Sequence, residues 1–429
     1  MKTGLSFLMA AKQCEMADLR QLQQTSALVQ VTSRMIHELQ RERGLSNLFL
    51  GSRGERFGEA LQNQRATSDA TALELRTAFD GLETGAGRHD NGARLFSRIA
   101  YVLHGLGALP GLRSGIQALE WTPTTATAAY VQLIAGLLAV VCEAADTASD
   151  PTISRLLVAL FNFMQGKEFA GQERATGAAM FAGGVTGHDA QQRLLHLIDS
   201  QERCLQVFTD FASHDTRSLW RECQRASALA DLERMRRLLG TASVGGPLNT
   251  QFSQVWFDCC SQRMDEMRLV ENQMTRELLD RCASQLATAA RELEQLQALE
   301  LRLHTPGANA DADPDPRLLE QFFQGALPAA SVPPSQPVGS QLERSVLEMV
   351  QAQAQRLQSM ADELDTVRAS LNERKVIERA KGLLMAHRQL NEEAAHKAMR
   401  QMAMSQNKRL VDVAEAVLAM RDVLAAGAP

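Results

Sequence analysis

Along residues 5–303, apolar side chains recur every three or four positions, the spacing that gives a helix one buried face. The pattern is interrupted at glycine- and proline-bearing joints: Gly81–Gly92, Gly105–Gly115, Ser149–Pro151, Gly183–Gly187 and Gly240–Pro247. Between them it predicts roughly eight helices of about 15–30 residues, arranged as helical bundles. An internal echo refines this. Gln40-Arg41-Glu42-Arg43-Gly44 precedes Leu48-Phe49 and then Leu61, Gln64 and Arg65. Gln172-Glu173-Arg174-Ala175 precedes Met180-Phe181 and then Leu197, Gln201 and Arg203. Similar words in the same order predict two related four-helix-bundle halves stacked into one domain, although helical sequences also share such words by chance.

Residues 304–340 read differently. Pro306, Pro314, Pro316, Pro328, Pro333, Pro334 and Pro337 bracket a polar linker with one short helix near Leu318–Phe323. A heptad seam follows over 341–371: Val346, Val350, Gln353, Leu357, Met360, Leu364, Val367 and Leu371 alternate spacings of four and three. A coiled coil requires that alternation. The same seam also suits one amphipathic helix docked on the rest of the chain. The last stretch, 372–429, reads as three short helices. Glu373–Ala386 follows Asn372 as N-cap, the second is capped by Asn391 and runs to Met404, and Arg409–Leu424 is the third. The expectation is thus an all-α chain: two stacked four-helix halves (1–303), a linker (304–340), a coiled coil (341–371) and a three-helix unit (372–429).

Composition supports helices, with only 5% aromatic residues. The seven cysteines form no CxxC pair or Cys/His cluster, so a reduced cytoplasmic protein without structural metal or cofactor is expected. The first residues carry Lys2 and a short apolar run but no cleavage site, and no window holds the ~18 uninterrupted apolar residues of a membrane span. No nucleophile–base pair or glycine-rich phosphate loop is present, so an enzyme is not expected.

The net charge of -5 argues against a chain that coats nucleic acid along its length. The C-terminal unit departs from it. Arg374, Lys375, Arg379, Lys381, Arg388, Lys397, Arg400, Lys408 and Arg409 face only Glu373, Glu378, Glu392 and Glu393 over that span. A small three-helix unit spends its apolar residues on packing, so these charges form either a solvated face or a phosphate-binding one.

The words of this segment carry a resemblance. Glu373 to Met385, Asn391-Glu392-Glu393-Ala394, Met399 to Ala403, Asn407 and Arg409 to Ala414 resemble the ANTAR domain of transcription antiterminators. The resemblance implies a coiled coil plus three-helix RNA-binding unit that grips tandem hairpins in leader mRNA and prevents termination. It also implies surface contacts to RNA at Arg374, Lys381, Arg400, Ala403, Lys408 and Arg409. Where the family often has an aromatic residue in the second helix, this chain has His396.

Upstream, Leu39 to Asn47, the Leu109-Pro110 to Arg113 turn and Phe163 to Ala175 resemble the NIT domain, named for nitrate and nitrite sensing. The order of parts is similar to that of one-component nitrate-responsive regulators of nitrate assimilation, which implies a homodimer with nitrate or nitrite as ligand and no membrane partner. Nitrate is a planar monoanion with three acceptor oxygens, and guanidinium offers planar donor forks. On that resemblance Arg43, Arg174, Arg236 and Arg237 are the expected ligand contacts, with Arg263 ranked below them. Each main candidate also has a glutamate close in sequence (Glu42, Glu173, Glu233) and could be an ordinary ion pair, while Lys167 and Glu168 read as a structural pair. Two other readings compete with a sensor of this kind. One is a helical protein-interaction scaffold. The other is a DNA-binding regulator using Arg409–Leu424, whose outward Asp412, Glu415 and Asp422 suit a major groove poorly.

Overall fold

The computed structural model describes residues 4–82, 92–146, 148–225, 227–304, 338–388, 390, 392–406 and 408–420; the side chains of 338–351, Gln353, Leu371 and Arg374 are among those outside the description. The described residues are almost wholly helical, with one isolated bridge, Val185 to Pro247. In chain order the helices are α1 (Gly4–Gly51), α2 (Gly58–Asp80), α3 (Gly92–Gln117), α4 (Pro123–Asp146), α5 (Pro151–Gly183) and α6 (His188–Phe211). Then come α7 (His214–Cys223), α8 (Ser227–Thr241), α9 (Phe252–His304), α10 (Val338–Arg388), α11 (Glu392–Gln406) and α12 (Leu410–Ala419).

Two expected breaks are absent. Gly105–Gly115 lies inside α3, with Pro110 in the helix interior, so the Leu109-Pro110 to Arg113 segment is helix rather than turn. The buried positions explain why: Val102, Leu106, Leu109 and Ile116 lie inside at helical spacing, and packing of an apolar face outweighs the propensity cost of the glycines. Asn372 likewise caps nothing, because α10 runs through it and joins the heptad segment to the first helix of the C-terminal unit. No glycine or proline occurs between Ser340 and Lys381, so nothing stops the hydrogen-bond ladder there. The linker 305–337, including the expected Leu318–Phe323 helix, lies outside the described residues.

The chain divides into two compact units. The smaller comprises 1–23, 149–151 and 280–365, built from the outer parts of α1, α9 and α10. Lys12 is buried there and bonds Glu15 and Glu292, at 2.5 and 2.6 Å, while Arg356 reaches both carboxylates from α10. On the heptad seam Leu357 is exposed and Leu364 buried within the chain.

The larger unit, 24–148, 152–279 and 366–429, holds both four-helix halves and the three-helix unit. In the first half, α3 and α4 close on α1 and α2. In the second, Met180 and Phe181 of α5, Leu194 of α6, Leu232, Met235 and Leu239 of α8, and Trp256 and Cys260 of α9 make one core. Helix α4 is long and apolar enough to cross a membrane by composition alone; its buried face, from Ala126 through Tyr130 and Ile134 to Val141, instead packs inside the first half. The three-helix unit has its own core of Ala380, Leu384, Ala395, Met399, Ala403, Val413, Ala414 and Val417.

The second core depends on one glycine. Trp256 lies flat against Gly177 and donates its indole N–H to the Arg174 carbonyl at 3.0 Å, and a Cβ at 177 would collide with the ring. Gly177→Ala is expected to destabilise by about 1–3 kcal/mol through overpacking, despite the better helix propensity of alanine. Urea denaturation checks this; an unchanged or higher midpoint contradicts the packing.

Candidate anion site and nucleic-acid interface

Helices α1 and α5 cross closely enough that each lays an arginine over a glycine of the other. A Cβ on Gly44 would lie 2.7 Å from Arg174 Nη2, and one on Gly171 would collide with Arg43 Nη2. Both guanidinium groups are therefore held at the seam between the two halves, and both are buried. Their partners differ. Arg43 forms a fork with Glu168, Nη1 to Oε1 at 2.5 Å and Nη2 to Oε2 at 3.2 Å. The same carboxylate accepts from Gln40 at 2.9 Å and Gln172 at 3.0 Å, which uses up its lone pairs. Among the described residues Arg174 bonds only neutral acceptors, Ser261 Oγ at 2.9 Å and the Gln40 carbonyl at 3.1 Å, and it stacks over Phe257 at 4.7 Å. Burial, and then the Arg43 charge beside it, push Arg174 down to about 10. Asp265 and Glu168 favour the Arg174 charge without bonding it directly, so among the described residues this guanidinium has no carboxylate hydrogen bond that a buried monoanion would have to displace.

The glutamate preceding each of these arginines turns away from it. Glu42 takes Arg113 in a fork at 2.7 and 2.8 Å and the Tyr130 hydroxyl at 2.8 Å. Glu173 takes Arg236 in a fork at 2.6 and 2.6 Å and Gln201 at 2.6 Å. Burial opposes the charge on Arg236, but Glu173 outweighs it and holds the guanidinium firmly protonated. The echo in the sequence thus has a structural meaning: in each half the glutamate clamps an arginine of its own bundle, and the following arginine reaches the seam.

The expected pairings are corrected accordingly. Arg43 pairs with Glu168 and not Glu42, and Arg174 does not pair with Glu173. Arg236 does bond Glu233, at 2.6 Å, in addition to Glu173. Lys167 and Glu168 do not pair with each other. Lys167 is fully buried between Glu271 at 2.8 Å and His37 at 3.0 Å, and burial followed by the Lys167 charge keeps His37 neutral. Arg237 is exposed on α8 and is not brought to the cluster. Arg263 is buried beside Arg236, with Nε and Nη1 lacking partners among the described residues. The sequence does not show that Arg113 and Tyr130 meet Glu42: Glu42 and Arg113 are 71 positions apart, and no local pattern joins them.

The three-helix unit packs on the same body. Arg368 donates to the Ala148 carbonyl at 3.2 Å, just past α4. Lys375 lies 2.9 Å from Asp146 and 3.6 Å from Glu143 in the last turns of α4, where the helix dipole adds to the negative charge. Further along, Arg400 approaches Asp199 of α6 at 3.6 Å, and Asp199 also bonds Arg203. Between α6 and the unit lies a cleft of about 460 Å³ lined by Asp199, Arg203, His396, Arg400, Ala403, Met404, Lys408 and Leu410. Of the residues expected at an RNA surface, Arg400, Lys408 and Arg409 are exposed, Arg409 with its charge turned to Asp412 at 3.1 Å and Glu373 at 3.3 Å. Lys381 and Ala403 are buried instead, Lys381 beside Glu378 at 2.7 Å and Ala403 in the core. The side chain of Arg374 lies outside the described residues.

The described residues thus form a helical body with two buried arginines at its α1–α5 seam and a basic three-helix unit packed against α4 and α6. Residues 34–279 match the family described as nitrate and nitrite sensing, and residues 365–418 match the ANTAR domain, an RNA-binding domain. The chain belongs to the nitrate- and nitrite-sensing regulator family, whose members are regulators and not enzymes. It is 32% identical to the nitrate regulatory protein of Klebsiella oxytoca over 421 residues, 96% of this chain and 93% of that one. Its fold matches the structure of the NasR transcription antiterminator with a TM-score of 0.61 at 29% identity, over 97% of this chain and 98% of the other.

Proposed function

We propose that this nitrate- and nitrite-responsive antitermination regulator binds its anion at the α1–α5 seam, through Arg174 and Arg43, with the Arg236 clamp alongside. The observation that carries the reading is the buried Arg174 guanidinium, which has a neighbouring cation and, among the described residues, only neutral hydrogen-bond partners. The bound anion supplies the missing charge, and no cofactor is needed. The seam is shared by both halves, so relieving its repulsion shifts how they pack and weakens the grip of α4 and α6 on the effector. A differential of a few kcal/mol moves such a two-state equilibrium from mostly closed to mostly open.

In the docked arrangement Arg400 is turned to Asp199 and Lys375 to Asp146, so the sensor's carboxylates stand where RNA phosphates would. Release frees that face for hairpins in leader mRNA; Arg409, which is 72% exposed, is already uncovered. The functional parts run as sensor (1–303), linker (304–340), coiled coil (341–371) and effector (372–429), in the cytoplasm. Two chains pair through the seam position Leu357, exposed on α10, so that a homodimer presents two effectors to tandem hairpins.

Filter binding of the full chain tests this. Leader RNA should be retained in millimolar nitrate and not in chloride at equal ionic strength, and duplex DNA of the same sequence in neither. Arg400→Ala with Lys408→Ala should weaken RNA retention and flatten its salt dependence while leaving the nitrate-induced rise in melting temperature intact. Equal retention of RNA in both salts overturns the gating, and equal retention of duplex DNA favours the DNA-binding alternative.

A further inference from the structure

Two imidazole rings meet where sensor and effector touch. His196 of α6 and His396 of α11 lie with ring centroids 5.3 Å apart, inclined at 57°. They sit beside the cleft, among an excess of cations. From α6 the rings are faced by Arg203 and Asp199, from α10 by Lys381 and Glu378, and from the effector's own side by Arg400 and Lys408. Both carboxylates are occupied: Asp199 serves Arg203 and Arg400, and Glu378 serves Lys381. The side chains of Glu392 and Glu393, one turn before His396 on α11, lie outside the described residues.

We propose that this histidine contact is an acid-sensitive latch: protonation of His396 loosens the effector from the sensor and exposes the RNA-binding face without nitrate. The inference rests on the reading that docking on α6 restrains the effector. A charged ring at 396 would stand half-buried against Arg203, His196 and Lys381, and a free effector would carry that charge in water. Burial, and then those three neighbours in that order, hold the docked His396 down to about 4, against an ordinary value of 6.5. The docked state therefore binds the proton more weakly than the released state. Docking is at full strength above the ordinary value and is lost progressively as the pH falls below it. Between pH 7.5 and 5.5 the docking equilibrium shifts by about tenfold toward release.

Two measurements on the full chain test the latch. In nitrate-free buffer at constant ionic strength, the fraction of chain competent for leader RNA should rise about tenfold from pH 7.5 to 5.5. His396→Gln should flatten that rise. In saturating nitrate, where the effector is already free, the wild-type rise should disappear. Direct NMR titration of the His396 ring should give a midpoint well below 6 without nitrate and one near the ordinary value with it. A ring that titrates near 6.5 in nitrate-free protein overturns the latch, as does an RNA affinity indifferent to pH in that buffer. If RNA binding responds to nitrate at pH 7.5 but not to acid, the gating survives and the latch alone falls; if it responds to neither, the gating itself is wrong.

Discussion

Replacing Arg174 with glutamine should abolish the thermal response to nitrate while leaving the fold at least as stable as the wild type. For the wild-type chain, a ligand selective for the folded state at a hundred times its dissociation constant adds about 2.7 kcal/mol. Nearly all of that gain should be lost in Arg174→Gln, because the charge the anion balances is gone. The accompanying stability change is the more diagnostic half. Among the described residues Arg174 is buried with Ser261, the Gln40 carbonyl and the Phe257 ring as direct partners, and Asp265 and Glu168 favour its charge without bonding it, so its desolvation is not offset by a carboxylate hydrogen bond. Removing such a charge is neutral or stabilising. Differential scanning calorimetry in nitrate, and in chloride of equal ionic strength, reads both effects. If Arg174→Gln keeps the nitrate-specific shift, the anion does not sit at the seam. Arg43→Lys should also lose most of the response, since ammonium lacks the planar fork, but it disturbs the Glu168 pair as well and separates the causes less cleanly.

The largest loss of stability is expected from Glu173→Ala. This carboxylate holds both Arg236 donors at 2.6 Å and accepts from Gln201, while buried Arg263 lies alongside without a hydrogen-bond partner at Nε or Nη1 among the described residues. Its removal leaves two buried guanidinium groups with only the half-exposed Glu233 nearby. Breaking a buried pair from one side costs about 3–5 kcal/mol. The double variant Glu173→Ala, Arg236→Met should recover a large part of that loss, because it removes the orphaned charge as well as the partner. Chemical denaturation of the four members of the cycle gives the coupling directly. A single-variant loss below ~1 kcal/mol would mean that water already shares the solvation of Arg236 and that the clamp is not a closed pair.

Much of this molecule is legible in its sequence. Apolar spacing of three and four made the helices unavoidable, because no other regular structure buries such a stripe. The C-terminal words from Glu373 to Ala414 identify the effector. Tertiary structure decided the rest, and the reason is mostly angular. Successive residues on a helix point about 100° apart, so residues adjacent in sequence do not face each other. Glu42 and Arg43 therefore serve different partners, as do Glu173 and Arg174, and Arg237 is thrown out to solvent while Arg236 is buried. The carboxylates that complete the forks come from other helices, Glu168 for Arg43 and Glu42 for Arg113, at separations of 125 and 71 residues that no periodicity encodes. The same holds at the effector, where a basic composition cannot distinguish exposed Arg400 and Lys408 from buried Lys381. Which charges lie inside is set by what packs against them, and only the assembled helices determine that.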